Sequence, residues 1–222
     1  MHLLLLALAP VLAIIIYVYN KDKYEKEPKL FLFYNFVLGA IVSILITTIL
    51  SLILNYFLPL DESSIAHLFI KAFFVVAFTE EFSKYLIIRY FAQPNNAFNE
   101  PYDGIMYAVM VSMGFAATEN IFYVLDGGVT SGILRAFTAI PAHACFGILM
   151  GYFMGKAKFS NHRIKHNLLG LLFAVIFHGS YDFFLFIDFV PGIWIGAFIS
   201  LGVAIVLARN AIKNHQEKSY FK

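Results

Sequence analysis

Residues 77–90 read AFTEEFSKYLIIRY, and the apolar run IKAFFVVAFT at 70–79 overlaps their start. Two adjacent glutamates, Glu80 and Glu81, and a lysine, Glu81's near neighbour Lys84, therefore interrupt what otherwise has the composition of a membrane helix. The surrounding chain makes the anomaly sharper. Of its 222 residues 60% are hydrophobic and only 14% are charged, and the mean hydropathy is +0.76. Such values, with long apolar runs, belong to polytopic membrane proteins rather than soluble domains. A net charge of +2 gives no reason to expect a nucleic-acid partner. The single cysteine, Cys145, excludes an intrachain disulfide and a cysteine-based zinc cage. No low-complexity tract or solenoid repeat is visible. Residues 1–222 read as one integral-membrane domain.

A span needs roughly 20 mostly apolar residues. Seven stretches qualify by eye, at about 3–19, 30–56, 68–91, 104–125, 133–155, 167–187 and 191–209. The expected fold is thus an all-α transmembrane bundle. Loop charges orient it. Lys21, Lys23, Lys26 and Lys29 follow the first span, whereas LPLDESS after the second has no basic residue. Arg89 opens the third loop, and DGGVTSG, the fourth, has none before Arg135. Lys156, Lys158, Arg163 and Lys165 lie in the fifth; Arg209, Lys213, Lys218 and Lys222 lie in the tail. Basic and non-basic loops alternate, which predicts an N-terminus outside and a C-terminus in the cytoplasm. The opening MHLLLLALAP lacks the basic n-region of a secretory signal, and its charges follow the apolar run, so it reads as a retained span.

An ionisable residue at mid-bilayer costs about 2.5–3.5 kcal/mol. Glu80, Glu81, Lys84, Glu119, His143, His178 and Asp182 all fall within predicted spans. Facing lipid they would together cost more than about 10 kcal/mol, so they must face one another or a wet cavity. Their depths agree. At about 1.5 Å per residue, Glu80 lies about 14 Å below the outer surface, Glu119 about 9 Å, His143 about 15 Å, His178 about 14 Å and Asp182 about 7 Å. Glu80 and Lys84 are i,i+4 and can pair, as are His178 and Asp182; Glu81 points about 100° away from Glu80. Gly147, Gly151 and Gly155 repeat every four residues, a small-residue face that permits close helix contact. Trp194 suits an interfacial anchor.

Several chemistries can be sought and are missing: there is no HExxH, no GxSxG and no GxGD. Ser83 and Lys84 are adjacent on a helix, so their side chains diverge and make a poor dyad. Glutamate and histidine remain, and together they can take a proton from water and return it to a leaving amine.

At this point the motifs resemble a family. DKYEKEP (22–28), EEFSK (80–84), NEPYDGIMYA (99–108), GFAATEN (114–120), PAHACFG (141–147) and HGSYD (178–182) occur in the order seen in the PrsW family. That family belongs to a wider superfamily with the CAAX prenyl proteases and bacteriocin-processing homologues. The resemblance implies a multi-pass protease of the bacterial cell membrane. Its substrate would be a single-span anti-sigma factor, cut first on the extracytoplasmic side to release a sigma factor. The family's catalytic positions fall on Glu80, Glu81, Glu119, Asn120, His143, His178 and Asp182. Where CAAX proteases have a histidine in the second motif, this chain has Glu119 followed by Asn120, so that histidine's role does not transfer to Glu119.

The expected mechanism is metal-independent. Glu80 activates water, assisted by His143 in preference to His178; Asn120 and one histidine donate to the oxyanion; Lys84 and Glu81 hold the site together. No cofactor is expected in this reading. The competing reading is a zinc site built from His143, His178 and one of Glu80 or Glu119. Further readings from other classes are an ion-coupled transporter, which often carries an internal repeat not found here, a haem carrier using His143 and His178, and a non-catalytic scaffold.

Overall fold

The computed structural model describes residues 2–222, and among these every regular element is helical. In chain order they form α1 (His2–Lys21), α2 (Lys29–Phe57), α3 (65–92), α4 (Pro101–Phe137), α5 (Ala139–Lys158), α6 (Arg163–Phe186) and α7 (Ile195–Glu217). The sequence marks these boundaries. Pro28 precedes α2, and Pro101 sits in the first turn of α4, where its missing N–H costs nothing. Pro191 and Gly192 lie in the break before α7, and Gly192 takes φ +80°.

Five helical stretches are long and apolar enough to cross a membrane: His2–Lys21, Lys29–Phe57, Pro101–Lys158, Arg163–Phe186 and Ile195–Glu217. Pro101–Lys158 is two helices, α4 and α5, broken at Thr138. The α3 stretch is not among the five, because any 18 consecutive residues of it carry at least three charges, Glu80 and Glu81 with Lys71, Lys84 or Arg89. The side chains left outward are those that lipid tolerates. Leu45, Ile49, Leu52 and Ile53 of α2 are exposed, as are Ile199, Val203 and Val206 of α7.

The centre of the bundle is α4, which is buried at every position from Pro101 to Ala117. The small-residue face of α5 seats against it. A methyl group at Gly151 would strike the Gly104 carbonyl, and one at Gly155 the Pro101 carbonyl. That crossing brings the two backbones close enough for Ser112 Oγ to donate to the His143 carbonyl at 2.7 Å. On the other flank, Gly114 and Gly39 let α4 and α2 touch backbone to backbone.

Between α2 and α3 the contact is polar. Thr47 Oγ1 lies 2.9 Å from Ser83 Oγ, and Ser51 Oγ lies 3.2 Å from Thr79 Oγ1. Ser83 is thus turned to α2, away from the charged residues beside it. The α3 helix widens into a π-helical turn at Lys71–Ala77, just before the paired glutamates. Such turns shift the facing of everything downstream and are frequent at functional sites.

Candidate active site

Four helices deliver the charged groups to one place. A cavity of about 530 Å³ is lined by Glu80 from α3, Glu119 and Arg135 from α4, His143 from α5, and His178 and Asp182 from α6. Glu81 and Lys84 lie behind this wall; neither is more than 1% exposed.

The ammonium of Lys84 is the hub. It donates to Glu81 Oε1 at 2.7 Å, lies 3.4 Å from Glu80 Oε2 and 3.3 Å from His143 Nδ1, and sits 4.2 Å above the ring of Phe115. An ammonium has no lone pair, so His143 Nδ1 must accept and its proton resides on Nε2. That Nε2 meets Glu119 Oε2 at 2.9 Å. His178 is flanked by carboxylates on both sides: Nδ1 is 2.8 Å from Glu81 Oε1, and Nε2 is 3.2 Å from Asp182 Oδ2 and 3.9 Å from Glu80 Oε2. Phe146 stacks on its ring with centroids 4.8 Å apart, which fixes the plane.

The three glutamates therefore differ. Glu81 shares one oxygen between Lys84 and His178, while its Oε2 is buried without a partner. Glu119 is gripped by Arg135 at 2.7 Å and by His143. Glu80 has no contact shorter than 3.4 Å to either neighbour and faces the cavity.

Glu80, Glu119, His143, His178 and Asp182 thus come together as expected, with Glu81 and Lys84 as their support. Asn120 does not join them. It lies about 100° around α4 from Glu119, donates to the Ala7 carbonyl of α1 at 2.8 Å, and accepts from Arg135 Nε at 2.8 Å. It is fully buried and does not line the cavity, so the oxyanion role expected of it lacks a geometric basis.

Arg135 was missed as a site residue. It enters because α4 breaks at Gly128, at φ +65°, and Arg135 beyond that break reaches the cavity lining. Its guanidinium spans Glu119 and Asn120 and lies 3.9 Å from the Tyr123 ring centre. The available signal was an isolated arginine in an otherwise non-basic loop that opens on Gly127 and Gly128.

The same region carries a set of residues of metal-ligand type. Glu80, Glu81, His143 and His178 each offer one ligand atom within 4.8 Å of the others. These donor types suit zinc, and the idle Glu81 Oε2 is an open position. However, three of the four residues already surround Lys84 Nζ within 3.4 Å. Zinc bonded to them at about 2.0–2.2 Å would stand almost on top of that ammonium. A metal held through those same three atoms and the Lys84 ammonium exclude one another.

Fold and site together define a polytopic membrane protein with a buried carboxylate–imidazole centre built around an ammonium. The chain belongs to the PrsW family: the family described as "PrsW family intramembrane metalloprotease" matches residues 27–211. Protease PrsW of Oceanobacillus iheyensis is 37% identical over 179 residues, covering 80% of each chain. Protease PrsW of Bacillus subtilis strain 168 is 36% identical over 180 residues, again 80% of each. Protease PrsW of Clostridioides difficile strain 630 is 31% identical and covers all of this chain and 95% of its own length. No solved structure matches. The protein is accordingly a multi-pass bacterial membrane protein of an intramembrane protease family.

Proposed function

We infer that the cavity hydrolyses a peptide bond of a single-span membrane protein, an anti-sigma factor, near its extracytoplasmic face, with Glu80 as the general base. One observation carries this reading. Of the three glutamates at this site, Glu80 alone faces the cavity with no contact shorter than 3.4 Å. A base must be free to take a proton from water within hydrogen-bond reach.

The histidines divide the remaining work. Both nitrogens of His143 are held closely, at 3.3 Å by Lys84 and 2.9 Å by Glu119, and so it orients rather than transfers. His178 is held through Nδ1 by Glu81 at 2.8 Å, while its Nε2 lies at the cavity with longer contacts, 3.2 Å to Asp182 and 3.9 Å to Glu80. It is placed to donate to the oxyanion and then to the leaving amine, so the sequence-based preference for His143 gives way to His178. One oxyanion donor is worth about 3–4 kcal/mol in well-studied hydrolases. Arg135 keeps Glu119, and through it His143, in position.

The test is cleavage of a single-span substrate by purified protein in detergent. Glu80→Gln and His178→Ala should each lower the rate about 10²–10⁴-fold. A wild-type rate in either removes that residue from the mechanism. The zinc reading, favoured by the family's description and the idle Glu81 oxygen, uses the same cavity. Stoichiometric zinc in active protein, with activity lost on chelation and restored by zinc alone, would replace the metal-independent mechanism.

A further inference from the structure

One charged residue of the cavity wall has no part in the chemistry above. Lys71, near the start of α3, lines the cavity together with Leu185 and Phe186 from the end of α6. Its ammonium pairs with Glu62 of the α2–α3 loop and lies 5.3 Å from the centre of the Phe186 ring. The Lys71 side chain is 32% exposed, so it stands between the cavity and the surface. The ring face favours the cation and helps to keep it there.

The other charged groups of the lining have sheltered partners. Glu80 pairs with Lys84, Glu119 with Arg135 and His143, and Asp182 with His178, and no side chain in these pairs is more than 21% exposed. None of them can give its charge to a substrate without stranding a partner. Glu62 differs. It is 72% exposed and does not line the cavity. An ion pair with so exposed a member holds weakly. Among the described charged residues of the lining, Lys71 is therefore the one whose counter-ion an incoming group can replace. Glu62 also shows what kind of group the position accepts, a side-chain carboxylate.

By helical rise Lys71 lies about 14 Å along α3 from Glu80. An extended chain covers about 3.3–3.6 Å per residue, so the same distance is about four residues of substrate. We propose that Lys71 is a specificity-determining residue: it takes an acidic side chain of the substrate, about four residues from the bond cut at Glu80, in place of Glu62. This rests on the hydrolytic reading of the cavity and adds the substrate feature that the cavity reads. Lys71 makes and breaks no bond. Its contact forms on binding and persists through the reaction, so it acts through KM.

The experiment uses the full chain in detergent and single-span reporter proteins that differ at one residue, Glu, Gln or Lys, placed in turn about two to six residues from the cut. With native protein, Glu at one of these positions should raise kcat/KM about 10–100-fold over Lys, chiefly through KM, as a charged hydrogen bond does. Lys71→Gln should remove the preference. Lys71→Glu should reverse it in favour of the Lys reporter, which a merely damaged fold would not do. Glu62→Gln, which removes the competing carboxylate, should lower KM for the Glu reporter. Equal cleavage of the three reporters at every position, or a preference unchanged in Lys71→Gln, overturns the proposal and leaves hydrolysis standing. Binding of the same reporters to Glu80→Gln protein needs no turnover and separates the two readings. Tighter binding of the Glu reporter, removed by adding Lys71→Gln, supports the proposal even where no reporter is cut, and equal binding of all three overturns it.

Discussion

The two ends of α4 hold the same kind of residue under opposite terms. Around Glu119, buried carboxylates are matched by nitrogen: Lys84 touches Glu81, Arg135 touches Glu119, and His178 stands between Glu81 and Asp182. Around Asp103 the carboxylates lean instead on amides: Asp103 on the main chain of Asn99 and Glu100, and Glu25 on the Asn99 side chain. The first end is largely matched by cations of its own, so its charges can be held in a membrane interior while Glu80 keeps the longest contacts of the set. The second end has few cations beside it, and its carboxyls depend on amide donors instead. A chain in which burial alone dictated charge balance would treat both ends alike.

The hub of the first end offers the strongest way to break this contrast. Lys84→Met leaves Glu81 buried with its cation gone, and should destabilise the protein by about 3–5 kcal/mol. Glu81→Gln leaves the ammonium under-compensated and should cost a similar amount. The double variant removes both charges, so it should recover much of the loss, and the cycle isolates their coupling. Thermal unfolding of all four proteins measures it. Additive losses would mean that the pair is not the hub the geometry indicates.

Arg135 tests a subtler part of the same end. Arg135→Gln frees Glu119 and lets His143 drift without touching Glu80. Small misplacements of catalytic groups cost up to about 10²-fold, so the rate should fall about 10–100-fold, in kcat with KM little changed. Arg135→Lys should restore little, because one ammonium cannot span Glu119 and Asn120 as the fork does. Full activity in Arg135→Gln would detach Glu119 from the mechanism.

How far the sequence reaches differs between the two ends for a physical reason. Depth along a helix is arithmetic, so the meeting of Glu80, Glu119, His143 and His178 at one level was readable from span ends. The i,i+4 contact of His178 with Asp182 was readable too, and it is 3.2 Å. For Lys84 the spacing pointed to Glu80, yet Glu81 at i,i+3 is the closer partner, at 2.7 Å against 3.4 Å. Periodicity allows both; packing against α5 and α6 chooses. Facing across helices was out of reach, which is why Asn120 was given a catalytic role and turns out to bond Ala7 and Arg135. Arg135 was hidden by the break at Gly128, a tertiary event with only local glycines to announce it. The second end was visible only as two motifs. Nothing in DKYEKEP and NEPYDG says that loops 74 residues apart meet, as Glu25 and Asn99 do.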